Sequence, residues 1–173
     1  MKFALMTKKE LAAHYRAFGK HVTLADPQPA AILLKQIAGY IKTPIAIRID
    51  LGSNEVWGET FTDGNIFLMF GSNEHLRTAP LGIILPVLVH ELQHAKQFEI
   101  SSTLVLDYIE PDAWLTGAEN AARWGVINEY SRRFEDTLQQ VQGRIKEQPY
   151  WGWDQPNFKE IIVQIRHAIS REK

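Results

Sequence analysis

Cysteine is absent from all 173 residues, which excludes disulfides, thiolate metal sites and cysteine nucleophiles together. Any metal must then be held by histidine and carboxylate. Net charge is nearly absent too: 19 Lys and Arg against 20 Asp and Glu leave −1, without the basic excess that nucleic-acid binders carry. A long apolar run is missing at the N-terminus, where only Phe3 to Met6 precede Lys8 and Lys9. That stretch is too short for a signal-peptide core or a membrane span. The expectation is a cytoplasmic protein whose partners include neither nucleic acid nor membrane. What is present is ordinary: 45% hydrophobic and 23% charged residues, enough for one buried core in a single domain over 1–173.

Local patterns give an order of elements. Thr7-Lys8-Lys9-Glu10 has capping-box spacing and predicts a helix through Phe18. Asp26-Pro27 opens a second, with Ile32, Leu33, Ile37 and Ile41 on one face. The period then changes, as Ile45, Ile47, Ile49 and Leu51 alternate with Ala46, Arg48, Asp50 and Gly52, the mark of a half-buried strand. Glu55–Thr62 and Asn65–Phe70 read as a hairpin about a two-residue Asp63-Gly64 turn. Ile66–Phe70 is apolar throughout and is expected to be covered on both faces. A helix follows to about Phe98, starting near Pro80 or Pro86. One long helix is expected from Ala113 or Gly117 to Lys146, then an aromatic loop over 149–156 and a terminal helix. Helices, about three strands, then helices again make an α+β fold with a small three-stranded sheet.

The chemistry concentrates in Val89-His90-Glu91-Leu92-Gln93-His94-Ala95, which contains His-Glu-x-x-His. On a helix, residues four apart share a face, so His90 and His94 reach one ion. Glu91 lies about 100° round from His90 and approaches the open position without taking a ligand site. That is what a general base acting on zinc-bound water requires. A chance occurrence on a plain helix is the alternative. Val87, Leu88, Leu92 and Ala95 argue against it, because they make this a central helix on which unpaired histidines and a glutamate would be costly.

The third ligand separates subclasses. A metzincin needs Gly and His three and six residues beyond the second His, where this chain has Gln97 and Ile100. A gluzincin needs a carboxylate from a later helix, and Asp107, Glu110, Asp112, Glu119 and Glu129 are available. If one helix runs on from Gly117, Ala122, Arg123, Val126, Tyr130 and Phe134 fall within about 60° of Glu119. Glu119 would then lie on the core-facing stripe, where a zinc ion would offset the cost of burying it. Two alternatives stand beside this: a capping box from Thr116, and an ion pair with Arg123 one turn on. Glu129 is the reserve ligand. Tyr108, Arg123 and Tyr130 are candidates to stabilise an oxyanion, although Tyr130 also suits a core and Arg123 also suits a partner to Glu119. His75 is a weaker candidate to line the cleft. His14, His21 and His167 read as surface or packing residues, and Trp151 and Trp153 as a packed loop.

The stretch from Asn65 to Glu119 resembles a minimal zincin of the gluzincin type. The resemblance rests on the apolar strand Ile66–Phe70, the string Val-Leu-Val-His-Glu-Leu-Gln-His-Ala over 87–95, and Glu-Asn-Ala-Ala over 119–122. It is similar to compact metallopeptidase domains of bacteria and mobile elements, including SprT-like, repressor-cleaving and phage-encoded types. It covers about a third of the chain, and His-Glu-x-x-His is its specific part. Two departures are Lys96, where zincins usually carry an apolar residue, and Arg123, where a thermolysin-like Glu-x-x-x-Asp would place Asp. The resemblance implies a zinc-dependent peptidase acting on a protein or peptide, with His90, His94 and Glu119 on Zn2+ and Glu91 as base. It also implies that Ile66–Phe70 is the sheet edge on which an extended substrate pairs. A zincin-fold binding module that cleaves nothing, and a non-peptide amide hydrolase, are the alternatives.

Overall fold

The computed structural model describes residues 22–51, 55–61, 64–100, 109–144 and 158–173. The expected helix over 7–18, Asp107, Tyr108, His14, His21 and the aromatic segment 149–156 lie outside them. Among the described residues the fold is α+β, with six helices and a small mixed sheet.

Three strands match the expected ones: β2 (Ile45–Asp50), β3 (Trp57–Thr60) and β4 (Ile66–Phe70). A short fourth, β1 (Val22–Leu24), pairs antiparallel with β2. The order is β1-β2-β4-β3, with β2 and β4 parallel and β3 and β4 antiparallel. Ile66–Phe70 is therefore an interior strand, bonded on both sides, and the expectation that it forms the free edge is corrected. Among the described residues the outer positions belong to β1 and β3. The hairpin connection differs as well: Phe61 N–H donates to Asn65 O at 3.0 Å, and Gly64 N–H to Phe61 O at 2.8 Å, so three residues rather than two close it. Gly64 takes φ +79°, the left-handed conformation that such a loop demands and glycine adopts without steric cost.

Strand alternation places Ile45, Ile47, Ile49, Ile66, Leu68 and Phe70 in the main core. Against this face pack α1 (Pro27–Ile37) and α3 (Leu81–Ile100), through Leu33, Leu34, Ile37, Ile84, Leu85 and Leu88. Asp26 caps α1 by accepting from Gln28 N–H at 2.9 Å. Ile32, expected on its inner face, is 61% exposed, and Leu34 occupies that face instead. The other side of the sheet is covered too, since Ala46, Phe67, Met69 and even Arg48 are buried. Arg48 lies with its guanidinium 3.8 Å from the Phe67 ring centroid, a cation–π contact that replaces part of the lost hydration. β4 is thus buried on both faces as its composition predicts, whereas β2 is more deeply buried than alternation alone suggests.

Between β4 and α3 lies α2 (Asn73–Thr78), capped by Ser72, whose Oγ accepts from His75 N–H at 2.9 Å. Beyond α3 come α4 (Ile109–Arg123), α5 (Ile127–Arg144) and α6 (Phe158–Arg171). The single long helix expected after Ala113 is in fact two. Gly125 takes φ +69°, Val126 N–H returns to Ala121 O and Gly125 N–H to Ala122 O, both at 2.9 Å. These are the paired bonds of a Schellman motif, which ends α4 and turns the chain into α5. Among the described residues no helix is long and apolar enough to cross a membrane.

Candidate metal centre

α3 is buried over most of its circumference, and His90, Glu91, Gln93, His94 and Gln97 are its buried polar residues. Each needs a partner, because a polar group removed from water without one costs several kcal/mol, of the order of 2–7. For the two histidines the partner is Glu110, in the first turn of α4. His90 Nε2 lies 3.1 Å from Glu110 Oε2, His94 Nε2 3.2 Å from Glu110 Oε1, and the two Nε2 atoms 3.0 Å from each other. His90, His94 and Glu110 are, among the described residues, the group able to share one metal ion.

The donor set fits such an ion. Tetrahedral zinc, with bonds of about 2.0–2.2 Å, sets its ligand atoms ~3.3–3.5 Å apart, close to the separations seen here. Two imidazoles and a carboxylate also form the nitrogen and oxygen set that borderline divalent ions prefer. Burial depresses the basicity of His94, but the hydrogen bond and charge of Glu110, the charge of Glu91 and the hydrogen bond to Gln97 outweigh it and raise the pKa to about 9. Burial alone would raise the Glu110 carboxyl; the charges and hydrogen bonds of His90 and His94 instead hold it far below the usual carboxylate range.

That coupling predicts how the metal-free protein responds to pH. The His94 value is above the ordinary 6.5, so its contribution is complete below about 6.5 and is lost as pH rises through about 9. Glu110 is depressed from 4.5, so its contribution is complete above about 4.5 and lost as pH falls toward its lowered value. Both describe one ion-paired cluster, which is strongest between about pH 4.5 and 6.5. Thermal unfolding of chelator-treated protein should lose on the order of 2–3 kcal/mol between pH 6.5 and 9. A His94→Ala variant should lack that slope; an equal slope in the variant would place its origin elsewhere.

Glu91 is held from the sheet. Thr60 Oγ1 lies 2.6 Å from Glu91 Oε2 and 3.0 Å from the Glu91 carbonyl oxygen. Its side chain crosses Gly58, where a Cβ would sit 2.4 Å from Glu91 Cγ and 2.9 Å from Oε1. Gly58 is required because β3 and α3 approach closely enough for the Glu91 side chain to occupy the space of a Cβ. Edge strand and motif helix therefore fix the carboxylate together.

Behind the donors stand aromatic rings. His90 packs on Trp114 with centroids 4.3 Å apart, Trp114 on Tyr130 at 5.0 Å and on Phe134 at 5.5 Å. Tyr130 is fully buried, and its hydroxyl lies 3.1 Å from Trp114 O and 3.2 Å from Ala113 O, to which it donates. Burial, with the Glu110 charge adding to it, pushes the phenol well above its ordinary range. Tyr130 is thus a support of the Trp114 wall, and the expectation that it faces an oxyanion is corrected.

Glu119 and Arg123 are corrected as well. Both are exposed, and they pair with each other one turn apart, which is the ion pair weighed as an alternative. Neither joins the donor group. Thr116, the alternative cap for Glu119, donates instead to Asp112 O at 2.8 Å. Glu129 is only partly buried and pairs with Arg132 at 3.6 Å. His75 accepts from Gly71 N–H through Nδ1 at 3.2 Å and packs on Phe70, so it secures the turn into α2. His167, read as a surface or packing residue, is exposed on α6.

Glu110 could have been found from spacing. Glu110, Ala113, Trp114, Gly117, Ala118 and Ala121 follow the intervals of one helical face, and the last five are buried. Glu110 heads that stripe once the helix starts at Ile109 rather than at Ala113. Comparison of the chain with family models, with curated proteins and with solved structures finds no match.

Proposed function

We propose that this protein is a zinc-dependent metallopeptidase of zincin-like, gluzincin-type architecture, with His90, His94 and Glu110 as ligands and Glu91 as general base. The observation that supports it most is the convergence of His90 Nε2 and His94 Nε2, 3.0 Å apart, on the Glu110 carboxylate, whose Oε2 lies 3.1 Å from the first and whose Oε1 lies 3.2 Å from the second, beside a glutamate on the same helix that takes no part in the cluster. A purely structural site has no use for that glutamate.

When bound, the ion supplies Lewis acidity, polarising a carbonyl and acidifying water at near-neutral pH. The protein's own groups do the rest. Glu91 takes a proton from the attacking water and passes it to the leaving amine. Thr60 and Gly58 hold its carboxylate in place, which spares the reorganisation a free side chain would need. β3, the outer strand beside Glu91, has a second edge that no strand covers among the described residues, and an extended peptide can add a strand there. This assigns to Trp57–Thr60 the role the sequence suggested for Ile66–Phe70.

Glu91→Gln provides the test, since it keeps shape and removes the base. Zinc content should match wild type, while turnover of a proteome-derived peptide library should fall about 10²–10⁴-fold. Undiminished cleavage at equal zinc would end the assignment of Glu91. A wild-type protein that binds peptides but cleaves none would favour the non-proteolytic binding module.

A further inference from the structure

We infer that Gln97 assembles the donor cluster: it fixes the orientation of His94 and seats the turn of α4 that carries Glu110. This rests on the metal-site reading above and adds a positioning residue to it.

Gln97 lies one turn beyond His94 on α3 and is buried. Its Oε1 is 2.9 Å from His94 Nδ1. A carboxamide oxygen only accepts, so Nδ1 carries the proton, and Nε2 is left to face His90 and Glu110. The other end of the amide is fixed too. Nε2 of Gln97 donates to Ile109 O at 3.0 Å and to Asp112 Oδ2 at 2.6 Å. Turning the amide over would set its oxygen against a carbonyl and a carboxylate and its NH2 against an imidazole N–H. Asp112 and Ile109 therefore determine which way Gln97 points, and Gln97 determines which nitrogen of His94 is free for metal. The same two bonds grip α4 on either side of Glu110, so one side chain sets two of the three donors.

His90 is held by different means. Its Nδ1 is buried with no hydrogen-bond partner among the described residues, and the Trp114 ring sets its plane. Apart from the proposed ligands themselves, Gln97 is thus, among the described residues, the group that orients an imidazole by hydrogen bonding.

The experiment is zinc affinity of the full chain by competition with a chromophoric chelator, together with the visible spectrum of the cobalt-substituted protein. Gln97→Leu should weaken zinc about 10–100-fold, the range for partners of metal-bound histidines, and should alter the cobalt bands. Gln97→Glu combined with Asp112→Asn restores an acceptor for His94 Nδ1 and a hydrogen bond to residue 112 but leaves the Ile109 carbonyl without its donor, so part of the affinity should return. Asp112→Ala, at an exposed position, should show a smaller loss and decides the matter if Gln97→Leu does not fold. Wild-type affinity in Gln97→Leu and Asp112→Ala would overturn the inference while the metal site stands. Equal loss in Gln97→Leu and in the double variant would also overturn it, since a merely structural role predicts no rescue. A wild type that binds neither zinc nor cobalt would overturn this inference and the proposed function together.

Discussion

Replacing Glu110 by Ala should abolish stoichiometric zinc binding, while replacing Glu119 by Ala should leave it intact. Three donors converge on one point, and removing the carboxylate takes away both a ligand and the negative charge that balances the cation. The loss should exceed the roughly 10–100-fold that follows removal of a partner behind a ligand. Glu119 is exposed and paired with Arg123, and an exposed ion pair of that kind contributes no more than about 1 kcal/mol. Its removal should change neither zinc content nor, appreciably, the melting temperature. Elemental analysis of the purified wild type and both variants decides the point. Zinc lost from Glu119→Ala and retained in Glu110→Ala would reverse the ligand assignment.

The largest effect on stability should come from Gly117→Ala, a change that ordinarily favours a helix by about 1 kcal/mol. Here the added Cβ would lie 2.1 Å from Tyr130 Oη and 2.9 Å from its Cζ. The phenol cannot swing aside as a flexible side chain would, because the ring is rigid, fully buried and packed at a tilt against Trp114. Relief requires moving the ring, which costs its hydrogen bond to the carbonyls of Ala113 and Trp114 and overpacks the core by about 1–3 kcal/mol. A net loss of about 2–4 kcal/mol is expected. The cycle with Tyr130→Phe tests the cause: removing the hydroxyl opens the contested space, so the double variant should be more stable than the sum of single effects predicts. Strict additivity in denaturant unfolding would show that the strain lies elsewhere. Because Trp114 carries His90, Gly117→Ala should weaken zinc binding as well.

The failure of the phase argument for Glu119 has one cause, and it is local. Counting Ala122, Val126, Tyr130 and Phe134 on the same stripe as Glu119 assumed 100° per residue across Trp124-Gly125. The left-handed Gly125 breaks the count, since the helix ends there and α5 starts in a new direction. Within α4 alone, Leu115, Thr116, Glu119 and Arg123 are exposed. Glycine inside a helical pattern is ambiguous in sequence, because it either remains helical at a cost of about 1 kcal/mol or turns left-handed and terminates the helix. Gly117 takes the first course and Gly125 the second. The difference lies in what surrounds them: a tyrosine hydroxyl above Gly117, and open space around Gly125.

By itself the sequence determined what short-range rules can determine. His90, Glu91 and His94 stand on one helix because their spacing is helical and their flanks are apolar. The strands at 45–50 and 66–70, the need for glycine at 64 and the exclusion of thiolate ligands were equally legible. Tertiary structure decided which carboxylate meets the histidines, which strand carries the edge, and what fixes Glu91 and His94. Glu110 is 20 residues from His90 and Thr60 is 31 from Glu91. Such pairs are set by how helices and strands dock, and docking depends on the whole core rather than on any periodicity within one element.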